Sequence, residues 1–419
     1  MGAGKTIAEK ILSKHARRQV AAGDIAICDV DFCFGQDGTS SIIIDSFKEL
    51  KNAKPFNKKK FYMVIDHSAP SPNMGVSRIH QKMRNFAKET GVGMYDIGEG
   101  VCHQLIPEDG QVACGDLVLG ADSHTCTYGA INVLSTGVGS TDLAITLASG
   151  KNWFRVPETV KIIVNGSIPK GVYSKDIILH IIKLFGANGC TYKSAEFYGK
   201  ALEKMSVEAR LTISNMAVEM GAKCGLMEAD KKVLAWVKRH SKKHPKPTRA
   251  DKDADYSEVR EIDISKLTPQ VACPHAVDNV KGVGELRGTK IDQAFLGTCT
   301  NGRLEDLRIA ALILKGKKIH KDVKFIVTPA SKKVFLDALK EGLIDIFVTS
   351  GSTVISPGCG PCVGTHCGVP ADGEVVISTA NRNFKGRMGN PSSFIYLASP
   401  ATVAASSLTG KITDPRRYI

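Results

Sequence analysis

The sequence lacks long apolar segments. No run of about 18 apolar residues, the length that spans a bilayer, occurs in its 419 residues, so we expect no membrane-spanning helix. Residues 1–18 carry Lys and Arg in a helical pattern without the apolar stretch of a secretory signal, and the early acids Glu9 and Asp24 are unlike a transit peptide. Together these features predict a cytoplasmic protein.

Aromatic residues are also few, at 6% of the chain. The net charge of +14 raises the question of nucleic-acid binding. The basic residues are densest in segments 231–253 and 52–60, where no aromatic residues interleave regularly with the lysines. We therefore interpret the charge as a lysine-rich solvated surface, whose modest positive field attracts small anionic substrates.

Cysteine, in contrast, is plentiful. Twelve cysteines in a chain without an export signal predict free thiols in a reducing compartment, so a cysteine cluster would be catalytic or would bind a metal. The 43% hydrophobic and 23% charged residues are typical of a globular protein, and 419 residues predict two or three domains.

The order of apolar runs and amphipathic stretches predicts an α/β protein. "IAICDVDF" (25–32) and "KFYMVIDHS" (60–68) resemble buried strands, and residues 77–91 form an amphipathic helix pattern that ends at a glycine. The pattern restarts near residues 156 and 291, and residues 240–255 resemble a linker. We therefore predict three α/β domains with largely parallel sheets, at 1–155, 156–284 and 285–419.

The stretch "SPGCGPCVG" (356–364) places Cys359 and Cys362 two residues apart among glycines and prolines. Cys299, in "LGTCTNGR" (296–303), follows an apolar strand and precedes a helix, where the helix dipole favours a thiolate. The two motifs leave three interpretations open: a dithiol redox pair, a zinc site completed by His366 or Cys367, and an iron–sulfur site. Three cysteines on a 4Fe-4S cluster would leave one iron free to bind oxygen atoms of a hydroxy acid.

Acid–base residues follow two predicted strands. Asp66–His67 and Asp122–Ser123–His124 both stand at strand ends, and His103 lies between them in sequence. An aspartate beside a histidine can fix the imidazole tautomer and raise its basicity, although such residues also serve as ordinary helix caps.

Arginines follow a third predicted strand. Arg382 and Arg387, in "NRNFKGR" (381–387), could bind carboxylates through two parallel hydrogen bonds. The alternative is a basic loop in a basic protein.

Four motifs in this order, "GADSHT", "GTCTNGR", "SPGCGPC" and "NRNFKGR", resemble the aconitase superfamily over nearly the whole chain. The resemblance implies three α/β domains of aconitase type around a central iron–sulfur cleft. The length, together with "SAEFYG" (194–199) and "LTISNMAVEMGA" (211–222), resembles the large subunits of the two-subunit branch, the 3-isopropylmalate dehydratases and homoaconitases.

The resemblance also implies roles for individual residues. Cys299, Cys359 and Cys362 would ligate a 4Fe-4S cluster with one iron not ligated by protein. The predicted catalytic residues are Asp66, His67, His103, Asp122, His124 and Glu196, with Glu196 near an iron-bound water. The predicted substrate-binding residues are Gln36, Ser123, Asn381, Arg382 and Arg387.

The implied activity is a reversible dehydration and rehydration that converts 2-isopropylmalate to 3-isopropylmalate in leucine biosynthesis. A small subunit with the swivel domain and a serine base would be the partner. Homocitrate, citramalate and dimethylmalate stay open as substrates, because Gln36 resembles aconitase proper where His is expected in this branch. An iron-responsive RNA-binding protein is the alternative of another class.

Overall fold

The computed structural model describes residues 4–419. Strands in this part of the chain are short, and most are separated by helices. The strands are β1 (Ile25–Asp29), β2 (Phe32–Gln36), β3 (Phe61–Val64), β4 (Gly93–Tyr95), β5 (Leu117–Gly120), β6 (Leu134–Gly137), β7 (Lys151–Arg155), β8 (Thr159–Asn165), β9 (Ser194–Tyr198), β10 (Cys224–Met227), β11 (Glu258–Asp263), β12 (Gln270–Ala272), β13 (Val280–Gly282), β14 (Gln293–Leu296), β15 (Lys324–Val327), β16 (Thr353–Val354), β17 (Val375–Ser378) and β18 (Phe394–Ala398).

The helices cover the faces of the sheets. The α-helices are α1 (Ile7–Ala16), α2 (Asp37–Glu49), α3 (Met74–Thr90), α4 (Cys102–Glu108), α5 (Ser140–Ser149), α6 (Ser174–Phe185), α7 (Lys200–Lys204), α8 (Val207–Asn215), α9 (Lys231–His240), α10 (Thr298–Asn301), α11 (Leu304–Leu314), α12 (Lys332–Lys340), α13 (Leu343–Ser350) and α14 (Pro400–Thr409). Short 3-10 helices span Ser123–Ile131, Met216–Met220, Val283–Leu286, Gly360–Val363 and Pro415–Arg417.

The first sheet has five parallel strands in the order β4-β3-β2-β5-β6. The chain adds strands in one direction from β2 to β4 and in the other from β5 to β6. Between β2 and β5 the connections therefore diverge, which opens a crevice at the carboxyl ends of the strands. Gln36 ends β2 and Asp122 follows β5, so the topology brings both to this crevice.

Helix α3 is the clearest case of a local prediction that the structure confirms. Asn73 caps its first turn by accepting a hydrogen bond from the Val76 N–H at 3.0 Å. Gly91 ends the helix in the left-handed conformation at φ 74°, which glycine adopts without steric cost. The buried side chains His80, Met83, Phe86 and Ala87 recur at helical spacing.

The prediction of one buried strand over residues 25–32 is wrong. The segment divides between β1 and β2, which belong to different sheets. β1 pairs with β7 in an antiparallel two-stranded ribbon, and Ile25 and Ile27 are exposed on one face of it. The apolar run therefore contains all of the half-exposed strand β1 and the first residue of β2, rather than one strand buried on both faces.

The second sheet has four parallel strands in the order β10-β9-β8-β11. Helix α6 turns an apolar stripe towards the interior, since Ile177, Ile178, Ile181 and Ile182 are all buried. These side chains belong to a continuous apolar core that also contains residues of the first and third sheets.

The third sheet has seven strands in the order β13-β12-β18-β17-β14-β15-β16. β12 is antiparallel to both of its neighbours, and the other neighbouring pairs are parallel. A second divergence of connections lies between β14 and β17. Cys299 follows β14 and Asn381 follows β17, so both lie at that crevice.

The predicted division into three domains stays a prediction. Sheet membership alone groups β12 and β13 (270–282) with the third sheet, so we would place the second boundary before Gln270. No helix among residues 4–419 is long and apolar enough to cross a membrane.

Candidate active site

The polar loops after the first and third sheets enclose one cavity of about 150 Å³. Twelve of the fourteen site residues that the sequence predicts line it, which leaves out Asp66 and Glu196. The twelve are Gln36, His67, His103, Asp122, Ser123, His124, Cys299, Cys359, Cys362, Asn381, Arg382 and Arg387. A larger groove of about 520 Å³ adjoins this cavity at Asp122 and Ser123.

Cys299 lies in the short helix α10, directly after the buried strand β14. Thr298 holds the left-handed conformation at φ 74°, an unusual position for a residue with a branched side chain. The buried Arg303 fixes this turn, because its guanidinium donates to the carbonyls of Cys299 at 2.5 Å and Thr300 at 2.8 Å. The sulfur position is thus set by a rigid turn.

Cys359 and Cys362 flank the start of the 3-10 helix Gly360–Val363. Gly360, between them, has φ 56°, and a Cβ atom there would lie 2.7 Å from the Thr328 hydroxyl, so only glycine fits. The Cys359 N–H donates to the Asp66 carbonyl at 2.9 Å. This hydrogen bond joins the cysteine loop of the third sheet to the Asp66 loop of the first.

N–H groups point at the buried sulfurs. The Asn215 side chain donates to Cys299 Sγ at 3.2 Å, and Arg387 donates to Cys362 Sγ at 3.4 Å. Burial raises the pKa of Cys299 to about 12 and that of Cys359 well above its usual value. A metal cation would bind these sulfurs as thiolates, and the N–H donors would stabilise the bound negative charge.

The other residues proposed as zinc ligands lie outside this cavity. The His366 ring nitrogen Nε2 is 3.1 Å from the Ala69 carbonyl, and Cys367 is exposed. Among the described residues, the group of three possible ligand atoms that lie within 4.8 Å of one another is on Asp66, His67 and Cys359. Asp66 Oδ1 and His67 Nδ1 are already 2.7 Å apart, and Cys359 lines the cavity together with Cys299 and Cys362.

The predicted Asp/His pairs form one continuous network. Asp66 Oδ1 is 2.7 Å from His67 Nδ1, and the other Asp66 oxygen accepts the Cys102 N–H at 2.7 Å. His67 Nε2 lies 3.2 Å from Asp122 Oδ2, and His103 Nε2 lies 2.9 Å from Asp122 Oδ1. Asp66 therefore does not line the cavity itself and is linked to it by its contact with His67.

The charges of this network support one another. Burial alone would raise the pKa of Asp122, but His103 and the two other imidazoles outweigh it and hold the pKa well below its usual range. Burial likewise opposes a charge on His67, yet Cys359, Asp66 and Asp122 raise its pKa well above the usual value. The arrangement can store a proton on an imidazole next to the cysteines.

Glu219 is a site residue that the sequence analysis missed. Its Oε1 lies 2.8 Å from His124 Nε2 and accepts a hydrogen bond from Arg382 Nε, also at 2.8 Å. Asn215, the donor to Cys299, precedes it by four residues. Both stand in "LTISNMAVEMGA" (211–222), whose resemblance to the large-subunit branch is the sequence signal that could indicate them.

Glu196 is not brought into the cavity. It lies in β9, where one carboxylate oxygen accepts the Ile7 N–H at 2.7 Å. The other oxygen accepts from the hydroxyls of Tyr198 at 2.6 Å and Tyr256 at 3.2 Å. Its partners therefore hold the start of α1 against the second sheet, and the acid beside the His/Asp network is Glu219.

Gln36 and Arg387 also line the cavity and differ in how far their polar atoms are already hydrogen-bonded. The Gln36 side chain caps α2 through Gly38 and lies 3.5 Å from Asp122 Oδ2. The Nε atom of Arg387 is buried without a hydrogen-bond partner among the described residues, which leaves a donor for a ligand. Carboxylate recognition by these groups is a prediction that follows from their position.

Comparison with known proteins gives consistent matches. The model of the Aconitase family (aconitate hydratase) matches residues 9–287 and 279–410. The chain is 54% identical over 419 residues to "3-isopropylmalate dehydratase large subunit 1" of Thermotoga maritima, covering 99% of this chain and 100% of that protein. It is 52% identical to the "3-isopropylmalate dehydratase large subunit" of Elusimicrobium minutum, covering 99% of each.

Relatives with another name and a solved structure also match. The "Probable methanogen homoaconitase large subunit" of Methanosarcina mazei is 49% identical, covering 93% of this chain and 100% of that protein. The crystal structure of Thermococcus kodakaraensis aconitase X in its holo-form superposes with a TM-score of 0.52 at 12% identity, covering 85% of this chain and 84% of that one. At this identity the superposition supports the fold alone.

Proposed function

The chain belongs to the aconitase family, and on this premise we propose that it is the large subunit of a 3-isopropylmalate dehydratase. In this role it would catalyse the reversible loss and re-addition of water that converts 2-isopropylmalate to 3-isopropylmalate. The observation that carries the proposal is the shared cavity: the three cysteines, the His/Asp network and two arginines all line it.

The residues present fit an iron–sulfur cluster of the 4Fe-4S type with three protein ligands. Cys299, Cys359 and Cys362 are buried and line the same cavity. Asn215 and Arg387 direct N–H groups at two of the sulfurs, as expected of residues that stabilise a negatively charged cluster. When bound, such a cluster supplies an iron atom free of protein ligands, a Lewis acid for substrate oxygen atoms.

The chain's own residues would manage the proton. His67, held between Asp66 and Asp122, can hold a proton beside the cavity and release it to the hydroxyl that leaves. His103 shares Asp122, so the two imidazoles can exchange protons through one carboxylate. Glu219 orients His124 and Arg382 together.

The cationic groups would bind the two substrate carboxylates. Arg382 and Arg387 line the cavity and could donate to carboxylates, and Gln36 and Ser123, which also line it, could add neutral donors. The net charge of +14 would favour approach of a dianion.

A small partner subunit would complete the site. Relatives named large subunits are matched over 99% or 100% of their length, so this chain corresponds to that part of a two-subunit enzyme. We propose that the partner carries the swivel domain and the serine that removes the carbon-bound proton. The large subunit alone would then be nearly inactive.

The test is turnover by the reconstituted enzyme. The chain is loaded with iron and sulfide under argon, combined with its small subunit and assayed on 2-isopropylmalate, with the large subunit alone as control. The proposal expects turnover only in the two-subunit sample. Full activity of the large subunit alone would contradict the need for a partner subunit. No turnover of any hydroxy diacid by the two-subunit sample would contradict the proposal that the chain is part of a dehydratase.

Homoaconitase is the second candidate. Relatives named homoaconitase large subunit match at 49% and 47% identity, within the range of those named 3-isopropylmalate dehydratase. Parallel assays with 2-isopropylmalate and homocitrate, on the same preparation, distinguish the two by the ratio of kcat/KM.

A further inference from the structure

Lys175 is a buried cation that the proposed chemistry leaves unused. It stands in the first turn of α6 and has no exposed surface. Its Nζ atom donates to the carbonyls of Thr379 at 2.8 Å and Ala380 at 2.6 Å. Both acceptors are neutral, so no carboxylate balances the ammonium group through these contacts.

This is an unfavourable place for a lysine. A buried ammonium group loses its hydration, and the first turn of a helix carries the positive end of the helix dipole. Burial lowers the pKa of Lys175 to about 7. A neutral amine still has two N–H groups, so the two hydrogen bonds do not depend on its protonation.

The two carbonyls belong to the joint between β17 and the "NRNFKGR" loop. Asn381 and Arg382 follow them immediately. Asn381 Nδ2 lies 3.6 Å from Cys299 Sγ, and Arg382 Nε donates to Glu219 at 2.8 Å. The position of this joint therefore sets where both side chains meet the cavity.

The same joint also holds the cysteine turn. The Thr379 hydroxyl accepts a hydrogen bond from the Gly297 N–H at 2.9 Å and donates to the Gly297 carbonyl at 3.1 Å. Gly297 precedes the turn that carries Cys299. The Lys175 side chain thus extends from helix α6 to Thr379, where hydrogen bonds join the start of the "NRNFKGR" loop to the turn that carries Cys299.

We propose that Lys175 is a positioning residue, which fixes Asn381 and Arg382 at the cavity by holding the carbonyls of Thr379 and Ala380. The inference rests on the proposed function and adds a residue to it. A shift of about 1 Å in a site loop can cost a factor of about 100 in rate, so the contact has consequences for catalysis.

The test compares three variants in the reconstituted two-subunit enzyme. Lys175→Met keeps the length of the side chain and removes both donors. Lys175→Gln keeps an N–H donor. Arg210→Met is the control for loss of a buried cation away from the cavity: Arg210 also donates to two backbone carbonyls, those of Leu202 and Glu203, and in addition pairs with Asp230 at 2.5 Å.

Kinetics and the reduction potential of the cluster are the readouts. We expect Lys175→Met to raise KM about tenfold and to lower kcat, since Arg382 loses its position. We also expect a more negative midpoint potential, because the N–H group of Asn381 moves away from sulfur. Lys175→Gln should recover part of both effects. Arg210→Met should lower Tm. It should keep KM within twofold of the wild-type value and leave the midpoint potential unchanged within error.

Each other outcome contradicts the inference. If Lys175→Met and Arg210→Met behave alike in KM and potential, or if neither Lys175 variant folds, Lys175 serves stability alone. Wild-type enzyme is measured first. If it binds no cluster and turns over no diacid, the proposed function fails. The positioning role is then tested by hydrogen exchange alone. Faster amide exchange of residues 381–383 in Lys175→Met but not in Arg210→Met supports it, and equal exchange in the two variants contradicts it.

Discussion

The substitution Glu219→Gln tests whether Glu219, rather than Glu196, is the acid of the site. The change keeps the shape of the side chain and removes its charge. Glu219 now accepts from His124 and from Arg382, both at 2.8 Å. Both contacts converge on Oε1, so the glutamine oxygen can keep both, but as neutral rather than charged hydrogen bonds.

The expected loss follows from these two contacts. A hydrogen bond to a charged group contributes about 1.5–3 kcal/mol, and a neutral one about 1 kcal/mol. Weakening both contacts from charged to neutral strength costs about 2.5 kcal/mol together, and each 1.36 kcal/mol is a factor of about ten in rate. We therefore expect kcat/KM to fall by a factor of about 100.

The matched control is Glu196→Gln. Glu196 is fully buried and Glu219 is partly buried, but the partners of Glu196 are the Ile7 N–H and the hydroxyls of Tyr198 and Tyr256, outside the cavity. We expect this variant to have a lower Tm and near wild-type kcat/KM. The reasoning is refuted if Glu196→Gln loses activity as Glu219→Gln does while the cluster content is unchanged.

Three further changes have defined outcomes. Asn215→Asp removes the N–H group that faces Cys299 Sγ at 3.2 Å, so the midpoint potential of the cluster should become more negative. An unchanged potential in a redox titration would show that this N–H group does not stabilise the reduced cluster. Gly360→Ala forces a Cβ to 2.7 Å from Thr328 Oγ1 at φ 56° and should cost about 1–3 kcal/mol in unfolding free energy. Gly342→Ala, at φ 71° in open space, should cost less, and equal losses would argue against the clash. Asp37 accepts the N–H groups of His67 and Ser68; burial opposes its charge, but the contact with His80 and these donors hold its pKa below the usual range. Its stabilisation is complete above the unfolded-state pKa of about 4 and is lost as pH falls towards the folded-state value. The gap in unfolding free energy between the wild type and Asp37→Asn should therefore be largest near pH 6 and shrink below about pH 4, and a gap that widens in acid would contradict this sign.

Most of the site could be predicted because its residues stand beside strand ends. Asp66, Asp122, Cys299 and Asn381 each follow a buried parallel strand within two or three residues. Parallel sheets gather such positions at one edge, and the divergence of connections opens a crevice there. The strand-end positions marked Asp66, Asp122 and Cys299 as candidates, and the family resemblance implied that they and Asn381 belong to one site.

The failures involve information that is not local. Glu219 sits in a 3-10 helix of the second sheet's layer, and only the packing of that layer brings it to His124 and Arg382. Glu196 lies on the central stretch of a strand rather than beyond its end, a position that points away from the crevice. The apolar run at 25–32 contains a change of sheet that apolar composition does not mark.

The central claim is that three sulfurs of this chain hold one iron–sulfur cluster. The direct measurement is the visible absorption spectrum of anaerobically reconstituted protein, for the wild type and for Cys299→Ser, Cys359→Ser, Cys362→Ser and Cys367→Ser. We predict a brown chromophore in the wild type and in Cys367→Ser, whose cysteine is exposed and outside the cavity, and its loss or strong change in the other three. A spectrum that is unchanged in any of those three variants, or a colourless wild type that binds zinc, would contradict the account.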